Sequence, residues 1–223
     1  MTECLIEIVD HASPAAAARI VAEEAATWIA ICAMNGTSSV VLPGGRSQIA
    51  MLTGLASYHL PWNRITITTT DERQVPFDHP LSNIGSLQRV FQGRCGSAAK
   101  FVALDRAEAA SDIHLPFDLV ILGMGADGHI ASLFPGFPVD GDDPRHLIET
   151  MPDPVPINAP VARRSWNLTA LTQTNRTLLV CAGKAKRAAL ERALTSSETS
   201  PLAAFLRRAR GLVTVHWAED QMR

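Results

Sequence analysis

The chain has 223 residues, 47% of them apolar and 19% charged, and 20 basic residues against 22 acidic ones leave a formal net charge of −2. That length and a mean hydropathy of +0.09 suffice for a substantial core and exclude a disordered segment, while 14 glycines and 14 prolines without a fixed period exclude a collagen-like or low-complexity chain. With a pI near 6.4, no global field draws the protein to nucleic acid or to an anionic membrane, so any anion it binds must be held by a local cluster.

Short β-type runs alternate with helical stretches along the chain. Leu5–Val9 reads as a strand, and Ser13-Pro14 offers an N-cap and an N1 proline to a long Ala-rich helix that Asn35-Gly36 stops. Ser39–Leu42 is a buried strand, followed by Pro43-Gly44-Gly45 and a helix through Ser57. Arg64–Thr70, rich in β-branched residues, is a third strand, and beyond a polar loop Ser82 caps a helix reaching Phe91. Phe117–Leu122 is apolar at nearly every position, as a central parallel strand should be. A Pro-rich stretch from Met151 to Pro160 is an extended connection. The rhythm then resumes with a strand at Thr177–Ala182, helices at Lys184–Leu194 and Leu202–Arg210, and a last strand at Leu212–Trp217. This alternation predicts one α/β domain over residues 1–223, a doubly wound, mostly parallel sheet with helices on both faces and a ligand site at the carboxyl ends of its strands.

The four cysteines, Cys4, Cys32, Cys95 and Cys181, are dispersed and form no C-x-x-C pair, so they are expected to be reduced, with neither a zinc site nor a disulfide framework. The longest apolar stretch, Ala15 to Met34, is interrupted by Arg19, Glu23 and Glu24, and the N-terminus has no basic region followed by an apolar run. A cytoplasmic protein without metal or cofactor is expected.

Four segments carry unusual polar residues. In Pro43-Gly44-Gly45-Arg46-Ser47, glycines let the backbone approach an anion, and Arg46 and Ser47 add a charge and a hydroxyl; an ordinary tight turn would look the same. The Lys-Ser/Thr ending of a nucleotide-binding P-loop is missing. Asp71-Glu72-Arg73 places three charges at the end of a strand, with Ser82-Asn83 beyond; a solvated loop with an internal ion pair is the alternative. Gly123-Met124-Gly125-Ala126-Asp127-Gly128-His129 contains a G-x-G-x-x-G, but Asp127 would put a carboxylate where pyrophosphate oxygens must lie. Pro135 and Pro138 also leave room for only a turn or two of helix. What remains is a glycine-rich turn presenting a histidine beside an acid at a helix start, suited to general-base work. Finally, Arg163-Arg164 and Gly183-Lys184-Ala185-Lys186 are basic clusters, the latter at a strand-to-helix junction.

The run from Phe117 to Gly136, through Gly123-Met124-Gly125-Ala126-Asp127-Gly128-His129, closely resembles the signature of the 6-phosphogluconolactonase family. Asp71-Glu72-Arg73-Gln74-Val75-Pro76 with Ser82-Asn83, Gly44-Gly45-Arg46-Ser47 and Gly183-x-x-Lys186 resemble its other segments, in the same order. The chain departs from the family pattern in reading Arg46-Ser47-Gln48 where a Thr-Pro usually follows the glycines, and in the run Ser165-Trp166-Asn167 after Arg164. The resemblance implies a Rossmann-like fold of the sugar-phosphate isomerase type. It also implies metal-free hydrolysis of 6-phosphoglucono-δ-lactone, a step of the oxidative pentose phosphate pathway, with a small sugar-phosphate lactone as partner. It implies His129 as the base that activates water and Arg73 as the stabiliser of the oxyanion. Asp71 or Asp127 would orient the imidazole. Gly44, Gly45, Arg46, Ser47, Asn83, Lys186 and Arg164 would bind substrate and phosphate, with Arg163 the alternative to Arg164. An amino-sugar-phosphate isomerase or deaminase, and a non-catalytic sugar-phosphate sensor, are the competing readings; a sensor would not require His129.

Overall fold

The computed structural model describes residues 5–136, 138–139, 146–152, 160–195 and 197–220. Along the chain the elements are β1 (Ile6–His11), α1 (Pro14–Met34), β2 (Ser38–Leu42), α2 (Ile49–Ser57), β3 (Ile65–Thr69), β4 (Asp71–Arg73), α3 (Asn83–Phe91) and β5 (Lys100–Val102). They continue with β6 (Leu119–Gly123), β7 (Leu147–Thr150), β8 (Arg163–Trp166), α4 (Leu168–Thr172), β9 (Arg176–Ala182), α5 (Lys184–Ala193), α6 (Pro201–Arg208) and β10 (Leu212–Ala218). Local signals set the helix starts: the side chains of Ser13, Ser82, Asn167 and Ser200 each accept a backbone N–H of the first turn, and Pro14 and Pro201 occupy opening positions.

Seven strands form a sheet in the order β1-β10-β9-β6-β2-β3-β5, all neighbours parallel. Alternation along the central strands feeds two cores. Val40, Leu42, Leu119, Ile121 and Leu178 pack on one face with Ile29 of α1, Leu55 of α2 and Phe91 of α3. Val41, Val120, Leu122 and Leu179 pack on the other with Leu171 of α4, Leu190 of α5 and Phe205 of α6. The order runs outward from β2 through β3 to β5, and from β6 through β9 and β10 to β1. The switch point therefore lies between β2 and β6, and the loops leaving those two strands are Pro43–Gln48 and the Gly-His segment.

The short elements β5, β7, β8 and α4 were not expected from the sequence, and two further features differ from that expectation. Asp71-Glu72-Arg73 is not a solvated loop but strand β4, which leaves the main sheet at Thr70 and joins an antiparallel sheet ordered β4-β8-β7. The segment after His129 is not a helix: Ile130 bridges Met124 and Leu133, and Ala131 takes a φ of +49°, which a continuing right-handed helix cannot accommodate. Most of the Pro-rich stretch, 153–159, lies outside the described residues, as does the segment 140–145. No helix among the described residues is long and apolar enough to cross a membrane.

Candidate active site

The loops after β2 and β6, the β4–β8 pair and the first turns of α3 and α5 converge on a cleft of about 170 Å³. Its walls include Gly44, Ser47, Asp71, Arg73, Asn83, His129, Arg163 and Lys186. Of three roomier hollows, those of about 450 Å³ beside Phe77 and Phe101 and about 390 Å³ on the far side of β4 have no histidine in their walls, and one of about 310 Å³ beside His114 and Asp118 has no lysine or arginine.

His129 is held by its own loop. Its Nδ1 lies 2.7 Å from Asp127 Oδ1, which also accepts the His129 backbone N–H at 3.2 Å. The turn is closed by Gly125 donating to the His129 carbonyl and Gly128 donating to the Gly125 carbonyl. A Cβ at Gly125 would lie 2.2 Å from His129 Nδ1 and 2.3 Å from Asp127 Oδ1, so only glycine lets the acid and the imidazole meet over this loop. The imidazole is 35% exposed, enough for its far nitrogen to reach solvent or ligand.

The antiparallel β4–β8 ladder decides which charges face the cleft. Asp71 lies opposite Ser165 and Arg73 opposite Arg163, on the cleft side, whereas Glu72 lies opposite Arg164 on the other. The expectation for Arg164 is corrected by this register. Its guanidinium turns away to Glu149 (2.8 Å) and the Leu104 carbonyl (3.1 Å), and Arg163 takes the place in the cleft. Arg163 is buried, stacks over the Phe134 ring and leaves its Nε without a hydrogen-bond partner. Burial holds its guanidinium below the ordinary arginine value, with Asp71 acting in the opposite sense and Arg73 in the same. Arg73 donates to the Leu81 carbonyl (3.1 Å) and to Asn83 Oδ1 (2.5 Å), and its Nε too is buried without a partner. Two like charges face each other across the ladder with donors to spare, an arrangement that an anionic ligand relieves.

Asp71 does not reach His129 by any hydrogen bond among the described residues. Its carboxylate accepts the hydroxyls of Thr70 (2.9 Å) and Ser132 (2.5 Å). Of the two acids left open by the sequence, Asp127 is therefore the one on the imidazole. Asn83 donates from Nδ2 to the Asp71 carbonyl (2.8 Å), and its carboxamide fills the space that a Cβ on Gly44 would occupy, at 2.1 Å. Gly45 sits at the turn with φ +97° and lines a small hollow beside Asn83. Arg46 is exposed and is not among the residues lining the cleft, contrary to the sequence expectation; of the 3-10 turn Arg46–Gln48, the exposed Ser47 and the buried Gln48 line it instead.

Sequence reasoning missed the role of Glu72. Its buried carboxylate accepts the backbone N–H groups of Arg73, Asn83 and Ile84, each at 2.7 Å, tying β4 to the start of α3 and so fixing both Arg73 and Asn83. Burial pushes the carboxyl up, those three bonds pull it down, and Asp71 adds to the upward push. The legible signal was an acid ten residues before a Ser-Asn helix start; the closure in space was not. Among the described residues no group of three or more His, Cys, Asp or Glu side chains is placed to hold a metal ion.

The family described as glucosamine-6-phosphate isomerases/6-phosphogluconolactonase matches residues 12–217, and the chain belongs to this family. A 6-phosphogluconolactonase of Pseudomonas aeruginosa is 35% identical over 214 residues, covering 89% of this chain and 88% of that protein. One of Caulobacter vibrioides is 34% identical over 204 residues, covering 84% and 86%. The crystal structure of a 6-phosphogluconolactonase from Shewanella baltica superposes with a TM-score of 0.81 at 27% identity, covering 97% of this chain and 98% of that one. A monomeric glucosamine-6-phosphate deaminase shares the fold, with a TM-score of 0.76 at 18% identity over 95% of this chain and 97% of that one.

Proposed function

We propose that the protein hydrolyses 6-phospho-D-glucono-1,5-lactone to 6-phospho-D-gluconate, with His129 as general base and without a metal ion. The observation that carries this reading is the Asp127–His129 pair at 2.7 Å, opening on the same cleft as the cations Arg73, Arg163 and Lys186. With Nδ1 turned to Asp127, Nε2 is the nitrogen available to take a proton from water as its oxygen bonds to the lactone carbonyl carbon. Asp127 then stabilises the imidazolium. Arg73, braced by Asn83 and the Leu81 carbonyl, faces the negative charge that develops on the carbonyl oxygen. As the tetrahedral intermediate collapses, the ring C–O bond breaks and the imidazolium returns its proton to the leaving ring oxygen. Arg163 and Lys186, with Ser47 and the backbone of the Gly44-Gly45 turn, hold the phosphate, whose binding energy positions the remote ester.

The test is hydrolysis of freshly generated lactone by enzyme treated with a chelator, measured against the spontaneous rate. Turnover well above that rate is the expected result. Loss of activity on chelation, restored by one divalent ion, contradicts the proposal.

A further inference from the structure

Gln48 is a cleft residue that the mechanism above leaves unused. It ends the 3-10 turn after the glycines, and its backbone N–H donates to the Gly45 carbonyl at 3.2 Å, so its main chain is fixed. The residue is only 7% exposed, yet it lines the cleft beside Gly123, Ser47 and His129. Its amide lies against the end of β6, with Nε2 3.5 Å from where a Cβ on Gly123 would be. Its Oε1 is fully buried with no hydrogen-bond partner. A buried amide without a partner is costly, and it is retained at a binding site when the ligand completes it. A hydrophobic side chain would fill this position without that cost.

The chemistry of the missing partner follows from the amide. It is neutral and offers one acceptor and two donors, which suits a hydroxyl that both donates and accepts. A phosphate is served better by Arg163 and Lys186, and a developing oxyanion by Arg73. We infer that Gln48 is a specificity-determining residue whose carboxamide hydrogen-bonds a ring hydroxyl of the sugar lactone. The inference rests on the function proposed above.

The experiment compares wild type with Gln48→Met, which keeps length and loses polarity, on the parent 6-phosphogluconolactone and on its 2-deoxy, 3-deoxy and 4-deoxy analogues. Gln48→Met should fold with an unchanged far-UV spectrum and lose about tenfold in kcat/KM on the parent lactone, the worth of one neutral hydrogen bond. One deoxy analogue should cost the wild type about the same factor and cost the variant almost nothing further, which identifies the hydroxyl. Equal losses by wild type and variant on all three analogues overturn the inference. So does a variant with parental kcat/KM, or a Gln48→Ala variant that keeps the discrimination of the wild type. Failure of the wild type to turn over the parent lactone instead overturns the proposed function, and the inference with it.

Discussion

Replacing Arg163 by Met removes the guanidinium, and with it the cation over the Phe134 ring, and keeps an unbranched apolar side chain in its place. Arg163 has a buried, unpaired Nε and faces Arg73 across the ladder, so its donors are available to a phosphate in a setting that water screens poorly. A charge-assisted hydrogen bond of this kind contributes about 1.5–3 kcal/mol, equivalent to roughly ten- to a hundred-and-fifty-fold in kcat/KM. The loss should fall on the phosphorylated lactone and largely spare unphosphorylated gluconolactone. Arg164→Met is the paired control. Its partner Glu149 is 67% exposed, so that ion pair contributes only about 0.2–1 kcal/mol to stability, and kcat/KM should stay near the wild-type value. Steady-state kinetics of both variants on both substrates decide the matter. A more damaging Arg164→Met, or an equal loss by Arg163→Met on the two lactones, would place the phosphate away from Arg163.

Asp127→Asn should lower kcat by about a hundredfold or more while changing KM little, because the amide neither fixes the tautomer nor stabilises the imidazolium; near-normal kcat would move the orienting acid elsewhere. Glu72→Gln turns an NH2 group toward backbone donors that now meet a carboxylate. It should cost about 1–3 kcal/mol, read as a fall of several degrees in Tm, together with a loss of kcat/KM as Arg73 and Asn83 shift. An unchanged Tm would show that the helix start does not depend on it. Away from the cleft, burial and the Arg176 cation push His216 down to about 4, its neighbour Glu24 being itself paired with Arg176. The unfolded chain therefore takes up a proton before the folded one does. Stability is unaffected above about pH 6.5 and falls towards pH 4, by on the order of 3 kcal/mol. Denaturant titrations of wild type and His216→Asn across this window should show the steeper loss only in the wild type.

Most of the main sheet was legible because its central strands β2, β6 and β9 are largely apolar runs and α1, α3 and α6 carry caps within their own sequence; the three-residue edge strand β5, which opens on Lys100, was not. The second sheet was not. Its strands β4, β7 and β8 are three or four residues long and carry charges, and nothing in Asp71-Glu72-Arg73 itself announces a pairing partner at Arg163–Ser165. The choice between Arg163 and Arg164 depends on that register, since a shift of one residue exchanges the faces. The Gly-His motif was readable because the acid and the imidazole meet across a single intervening glycine. The helix expected to follow it was not formed, because Ala131 adopts a left-handed conformation that its identity does not signal. Glu72 and Gln48 matter through contacts made in space, with the start of α3 and with the end of β6.

In the proposed metal-free lactone hydrolysis, His129 moves the proton. The most direct measurement is kcat/KM of His129→Asn on freshly generated 6-phosphogluconolactone as a function of pH, with spontaneous hydrolysis subtracted. Asparagine keeps polarity and approximate size without basicity, so the catalysed rate should fall by about 10²–10⁴. The ascending limb of the wild-type profile should vanish with it, while binding of 6-phosphogluconate is retained. A variant with near-normal turnover and an unchanged limb would place the base elsewhere in the cleft.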